Sequence, residues 1–83
     1  MYNGKIVNII RKILKLSYAE MAQRLGISPS HFDKIINCTR FMDRAEESTQ
    51  AAYRALYKSA MSVENAEAIM YGLCLSEGVE VPE

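Results

Sequence analysis

Ser30, His31 and Asp33 carry the functional groups of a nucleophile, a base and an orienting acid. Residues one and two apart on a helix do not face each other, so this spacing builds no proton relay. His31 and Cys38 fall on a similar helical side and are both metal-ligand types. Two ligands fall short of the four that a structural zinc site takes. No catalytic centre, metal or cofactor is therefore expected, and an enzyme is the least favoured class. Another set has a spacing that works. Ser30, Lys34 and Asn37 recur at four and three residues, which places them together on one helix face. Lysine donates to guanine O6 and N7, asparagine pairs with adenine through two bonds, and serine is permissive. His31 flanks this face; base contact, a pH switch and a plain surface histidine all stay open for it. Asp33 lies beside it and could accept from cytosine N4, pair with a neighbouring base, or simply repel phosphate. Arg40 follows the face and has the chemistry of a phosphate contact.

Short helices must position these residues. Ser17-Tyr18-Ala19-Glu20 is a capping box: the serine hydroxyl accepts from the glutamate N–H and the carboxylate reaches back. It opens a helix with Met21, Ala22 and Leu25 on its apolar side. Gly26 stops that helix, because glycine accepts the left-handed conformation after a helix end. Ser28 is a cap for the next helix and Pro29 suits its first position. Phe32, Ile35 and Ile36 share its inner face, and it should fade near Asn37 or Cys38. Two helices separated by Leu25-Gly26-Ile27-Ser28 form a helix-turn-helix.

Three further helices complete the expectation. The first spans about Gly4 to Lys15, with Ile6, Ile9, Ile10, Ile13 and Leu14 on a buried stripe. A helix from about Arg44 to Ser59 carries Ala45, Ala52, Ala55 and Leu56, with Tyr53 and Tyr57 one turn apart as core or interface. The last starts at a Ser62 cap, carries Val63, Ala66, Ile69, Met70, Leu73 and Cys74, and ends at Gly78. Residues 80–83 read as a loose tail. The whole is one all-α domain over residues 1–83, with the helix-turn-helix at about 17–38 and the C-terminal helices at about 44–78.

Composition narrows the function. The chain has 83 residues, 49% of them hydrophobic and 24% charged, as in a soluble globular domain. A chain this short buries only about 60% of its unfolded surface, so its core is thin. No apolar run approaches the roughly 20 residues of a membrane span. The N-terminus lacks the apolar region and cleavage site of a signal peptide. Two cysteines make no disulfide framework, and Cys74 reads as a small core residue. A cytoplasmic protein with reduced thiols is expected. Zero net charge hides a division: residues 1–40 hold seven basic side chains against two acidic, and residues 41–83 hold three against eight. A basic half suits an anionic partner, and an acidic half would face away from it.

The run Leu14-Lys15-Leu16-Ser17-Tyr18-Ala19-Glu20-Met21-Ala22-Gln23-Arg24-Leu25-Gly26-Ile27-Ser28-Pro29-Ser30-His31-Phe32 resembles the helix-turn-helix of phage Cro and C1 repressors, the xenobiotic-response-element family. Ala22 stands where the two helices cross closely, and Gly26 makes the tight turn. The resemblance implies a five-helix, lambda-repressor-like domain whose second motif helix enters the major groove. It places Tyr18, Ser28, Pro29, Ser30, His31 and Lys34 where the family reads or packs against bases. It places Ser17, Asn37, Thr39 and Arg40 where the family holds phosphates. The chain departs from the pattern at Ile36 and Cys38, where the family often has an acid and a glycine. That acid commonly pairs with an arginine of the first helix, so Arg11 must reach solvent or another acid.

These readings point to a sequence-specific DNA-binding transcriptional regulator. By resemblance it is a repressor of phage or mobile-element type in a bacterial or phage-infected cell, binding a palindromic operator as a homodimer. Met61, Ile69, Met70, Tyr71 and Leu73 form the expected dimer surface. The alternative is a protein-interaction module, antirepressor or antitoxin-like, that meets a partner regulator through its acidic half. A third class is a basic amphipathic first helix lying on a membrane surface.

Overall fold

The computed structural model describes residues 4–37 and 47–80. Cys38, Thr39, Arg40 and the expected helix start near Arg44 lie outside the described residues, as do residues 81–83. The fold is all-α. Among the described residues there are five helices: α1 (Gly4–Leu14), α2 (Tyr18–Leu25), α3 (Pro29–Ile35), α4 (Glu47–Ala60) and α5 (Ala66–Glu77).

The central element is α1, which packs on both α4 and α5, while α2 packs on α3 and α4. Ile6, Val7, Ile9, Ile10 and Ile13 are all buried. Each full burial of such a side chain contributes about 1.5–3 kcal/mol. The apolar stripe of the first helix is thus covered by α4 and α5. Met21, Ala22, Leu25, Phe32, Ile35, Tyr53, Leu56, Ala60, Met70 and Cys74 complete the core. Burial pushes the Cys74 thiol pKa up, as expected of a small core residue. Tyr53 is buried and stands 6.4 Å from the Tyr57 ring.

Three helices end in the same way. At the end of α2, Gly26 adopts φ 75°, its N–H donates to Gln23 O and the Ile27 N–H donates to Ala22 O. At the end of α5, Gly78 and Val79 repeat the pattern onto Leu75 O and Cys74 O. At the end of α1 the left-handed residue is Lys15, with φ 58°, and Leu16 N–H donates to Arg11 O. This paired closure satisfies carbonyls that the helix leaves open. In each case the next residue is apolar: Leu16, Ile27 and Val79 all pack against the core. A left-handed lysine has a Cβ penalty that glycine avoids, so the α1 end is held by Leu16 burial rather than by residue type.

The helix starts are set by side-chain caps. Ser17 accepts from the Glu20 N–H at 3.1 Å, and Glu20 Oε1 accepts from the Ser17 N–H at 3.1 Å. Ser28 accepts from the His31 N–H at 3.2 Å, with Pro29 in the first turn. The fifth helix corrects the expected Ser62 cap. Ser62 donates its hydroxyl back to Lys58 O, and α5 starts at Ala66 after a left-handed Asn65 that makes no side-chain cap.

The capping box gives a pH prediction. The two hydrogen bonds with Ser17 hold the Glu20 carboxyl below its ordinary pKa of 4.5. A carboxyl lowered in the folded state stabilises it above the unfolded pKa. That contribution is lost as the pH falls from about 4.5 through the lowered value. Glu20→Gln keeps an acceptor for the Ser17 N–H but does not titrate. Urea unfolding at pH 7 and pH 3 is expected to show a smaller acid loss in the variant; an equal loss in both proteins would refute this role for Glu20.

Candidate nucleic-acid interface

The sequence of α3 divides into two faces. Phe32 and Ile35 are buried and Ile36 packs at the core margin. One helical side away, Ser30 and Lys34 are exposed, with Asp33 on one flank and His31 on the other; α3 ends at Ile35, so Asn37, also exposed, follows the helix rather than sharing its face. The inner face is therefore what turns the outer face to solvent. The segment that presents α3 is short, because only Gly26, Ile27 and Ser28 separate it from α2. Ala22 is fully buried, which lets the neighbouring helices approach closely.

The residues at the start of α2 join this surface through an aromatic contact. Tyr18 is 40% exposed, and its ring meets Phe32 edge-on at a centroid distance of 5.4 Å. Its hydroxyl-bearing ring thus stands at the surface while Phe32 anchors it from below. Arg11 holds the other side. Its guanidinium carbon lies 4.6 Å from the Tyr18 ring centroid. Its Nε donates to Asn8 Oδ1 at 2.8 Å, and a terminal nitrogen donates to Leu16 O at 2.9 Å. Among the described residues, half-buried Arg11 thus meets Asn8, the Leu16 carbonyl and the Tyr18 ring. It ties the end of α1 to the start of α2, and no spacing rule signals such a tie.

Ser17, Ser28, Pro29, Ser30, His31, Lys34 and Asn37 are all exposed, as a contact surface requires. Some of their polar capacity is already committed. The Ser17 hydroxyl caps α2, and the Ser28 hydroxyl caps α3 and lies 3.3 Å from Ser30 Oγ. Asn37 donates one carboxamide N–H to Asp33 O at 3.0 Å. That bond leaves Asn37 its carboxamide oxygen and a second N–H. No group of three or more possible metal-ligating side chains occurs among the described residues. No helix there is long and apolar enough to cross a membrane.

No family model matches the chain, and no curated protein or solved structure matches it.

The expected dimer surface needs correction at one residue. Met70 is 1% exposed and belongs to the core, so a second copy cannot reach it. Met61 and Leu73 are partly buried against the same core. Ile69 and Tyr71 are exposed.

Proposed function

We propose that this chain is a Cro/C1-type transcriptional regulator that binds double-stranded DNA through α2, the turn and α3. The observation that carries this reading is the exposed face of α3. Ser30 and Lys34 share it while Phe32 and Ile35 seat the opposite face, and Asn37 is exposed two residues past the helix end. A single exposed helix with donors and acceptors on its outer face fits a major groove about 12 Å wide. Lys34 is the guanine contact, and Ser30, His31 and Tyr18 supply the neighbouring base contacts. Ser17 and the free N–H groups at the start of α2 meet phosphate, and Asn37 meets phosphate at the far end. Thr39 and Arg40 extend the phosphate contacts by sequence. The protein binds rather than catalyses, in a bacterial cytoplasm, and acts as a repressor on a palindromic site.

Selection of bound duplexes from a random DNA pool tests this, run at about 50 mM salt because phosphate contacts weaken steeply as salt rises. The parent is expected to enrich a defined sequence. Lys34→Glu is expected to lose it by about tenfold or more, since a good base contact is worth about 1–3 kcal/mol. Its exposed position means the fold should survive unchanged. No enrichment by the parent would overturn sequence-specific binding. It would favour the partner-binding reading, to which the lone basic residue of α3, Lys34, already lends some support.

A further inference from the structure

Glycine fills two of the three left-handed helix ends, Gly26 at φ 75° and Gly78 at φ 67°; the third is Lys15 at φ 58°. A Cβ in that conformation crowds the following carbonyl, a strain that glycine avoids. The closure does not use the lysine side chain. Its bonds are main-chain bonds, from the Lys15 N–H to Lys12 O and from the Leu16 N–H to Arg11 O, and glycine would make both. Its apolar seal is Leu16. A cation near the open carbonyls of a helix end is favourable, but Arg11 and Lys12 already supply that charge in the last turn of α1. Lys12 is also engaged with Glu77 at 3.1 Å. Lys15 is exposed, and its ammonium has no hydrogen-bond or ion-pair partner among the described residues. Strain kept for a side chain that the fold leaves idle points to a contact outside the chain.

The place of Lys15 names that contact. It stands at the junction of α1 and α2, two residues before the Ser17 cap and three before Tyr18. Arg11 fixes this junction: it donates to the Leu16 carbonyl at 2.9 Å and lies 4.6 Å from the centre of the Tyr18 ring. The lysine stem therefore starts from a held backbone beside the Ser17 and Tyr18 surface. We infer that Lys15 is a phosphate contact, its ammonium meeting the anionic oxygens of the DNA backbone beside the groove that α3 enters. A compact charge on a long flexible stem suits a phosphate, which asks for reach and not for a rigid fork. Glycine would give an unstrained turn and no charge, so binding is what the lysine adds. The role rests on the DNA reading of α2 and α3, and it differs from that of Lys34. A phosphate contact strengthens all sequences about equally, whereas a base contact selects among them.

Fluorescence anisotropy with a labelled DNA duplex of random sequence, titrated with the full chain from about 50 to about 200 mM salt, tests the role without knowledge of an operator. Lys15→Gly is expected to bind about tenfold more weakly than the parent at about 50 mM salt. It should also flatten the slope of log affinity against log salt by about 0.9, the share of one phosphate. Lys15→Asn tolerates the left-handed conformation and should behave like the glycine variant, while Lys15→Arg keeps the cation and should bind as the parent does. Urea unfolding is expected to move the other way, with a higher midpoint for Lys15→Gly because the strain leaves with the side chain. Parent-like affinity and slope in Lys15→Gly, beside a parent that binds, overturn the contact and leave the DNA reading standing. A parent with no salt-dependent binding overturns both. A lower urea midpoint for Lys15→Gly would show that the lysine serves the fold, and the strain would then argue for no contact.

Discussion

Phe32→Ala is expected to remove about 3–5 kcal/mol of stability. A small domain has about 5–15 kcal/mol in total, and this thin core stands toward the lower end. Phe32 is fully buried and is the aromatic anchor of α3. α3 has only seven residues, too few to hold a helix without packing. Truncating Phe32 removes the main apolar attachment that α3 makes and also the edge that supports the Tyr18 ring. Ile35 remains, but one isoleucine does not fix the helix in rotation. The loss should therefore appear twice: as a lower urea midpoint by circular dichroism, and as lost amide protection confined first to α3. Phe32→Leu keeps an apolar group in the same space and should cost less than half as much. A loss below about 1.5 kcal/mol for the alanine variant would mean that α3 is held by something other than its inner face.

What proved legible in the sequence was local chemistry. The Ser17–Glu20 box, the Gly26 stop and the Ser28-Pro29 start each depend on residues within a few positions of one another, and each stands where the spacing puts it. The buried stripe of α1 was legible for the same reason. Ser62 shows where this logic fails. A serine before an apolar run can serve the helix that follows or the one that precedes it, and here its hydroxyl serves Lys58 O of α4. Both options satisfy a backbone group, so the residue type does not choose between them. Met70 shows a second failure. Apolar residues on all sides of α5 leave its inward direction undetermined until α1 is in place. Only then does Met70 become core and Tyr71 become surface. On the candidate interface, residue identities were legible while their prior commitments were not. The Asn37 bond to Asp33 O and the Ser28–Ser30 contact depend on how the helix end and its cap are closed.

Arg11 was the least legible residue, and its removal carries the next largest expected effect. Its partners are a backbone carbonyl five residues on and a ring seven residues on. Both are brought to it by the left-handed turn at Lys15, a residue type that does not announce such a turn. Arg11→Met keeps the apolar stem but leaves Leu16 O without its charged donor. A hydrogen bond to a charged group is worth about 1.5–3 kcal/mol, and an exposed cation–π contact about 0.5–1 kcal/mol. Arg11 is half-buried, so solvent replaces part of both, and a net loss of about 1–3 kcal/mol is expected on urea unfolding. Arg11→Lys keeps the charge but has a single nitrogen where the guanidinium fork reaches Asn8, Leu16 and the ring together. It should recover less than half of the loss. A double-mutant cycle with Tyr18→Ala isolates the ring contact and should give a coupling of about 0.5–1 kcal/mol. Full recovery by lysine would reduce Arg11 to a point charge, and absence of coupling would detach it from Tyr18. With coupling present, Arg11 is a positioning residue for the Tyr18 surface. Arg11→Met should then lower DNA affinity with no phosphate contact removed, leaving the salt slope of binding at the parent value.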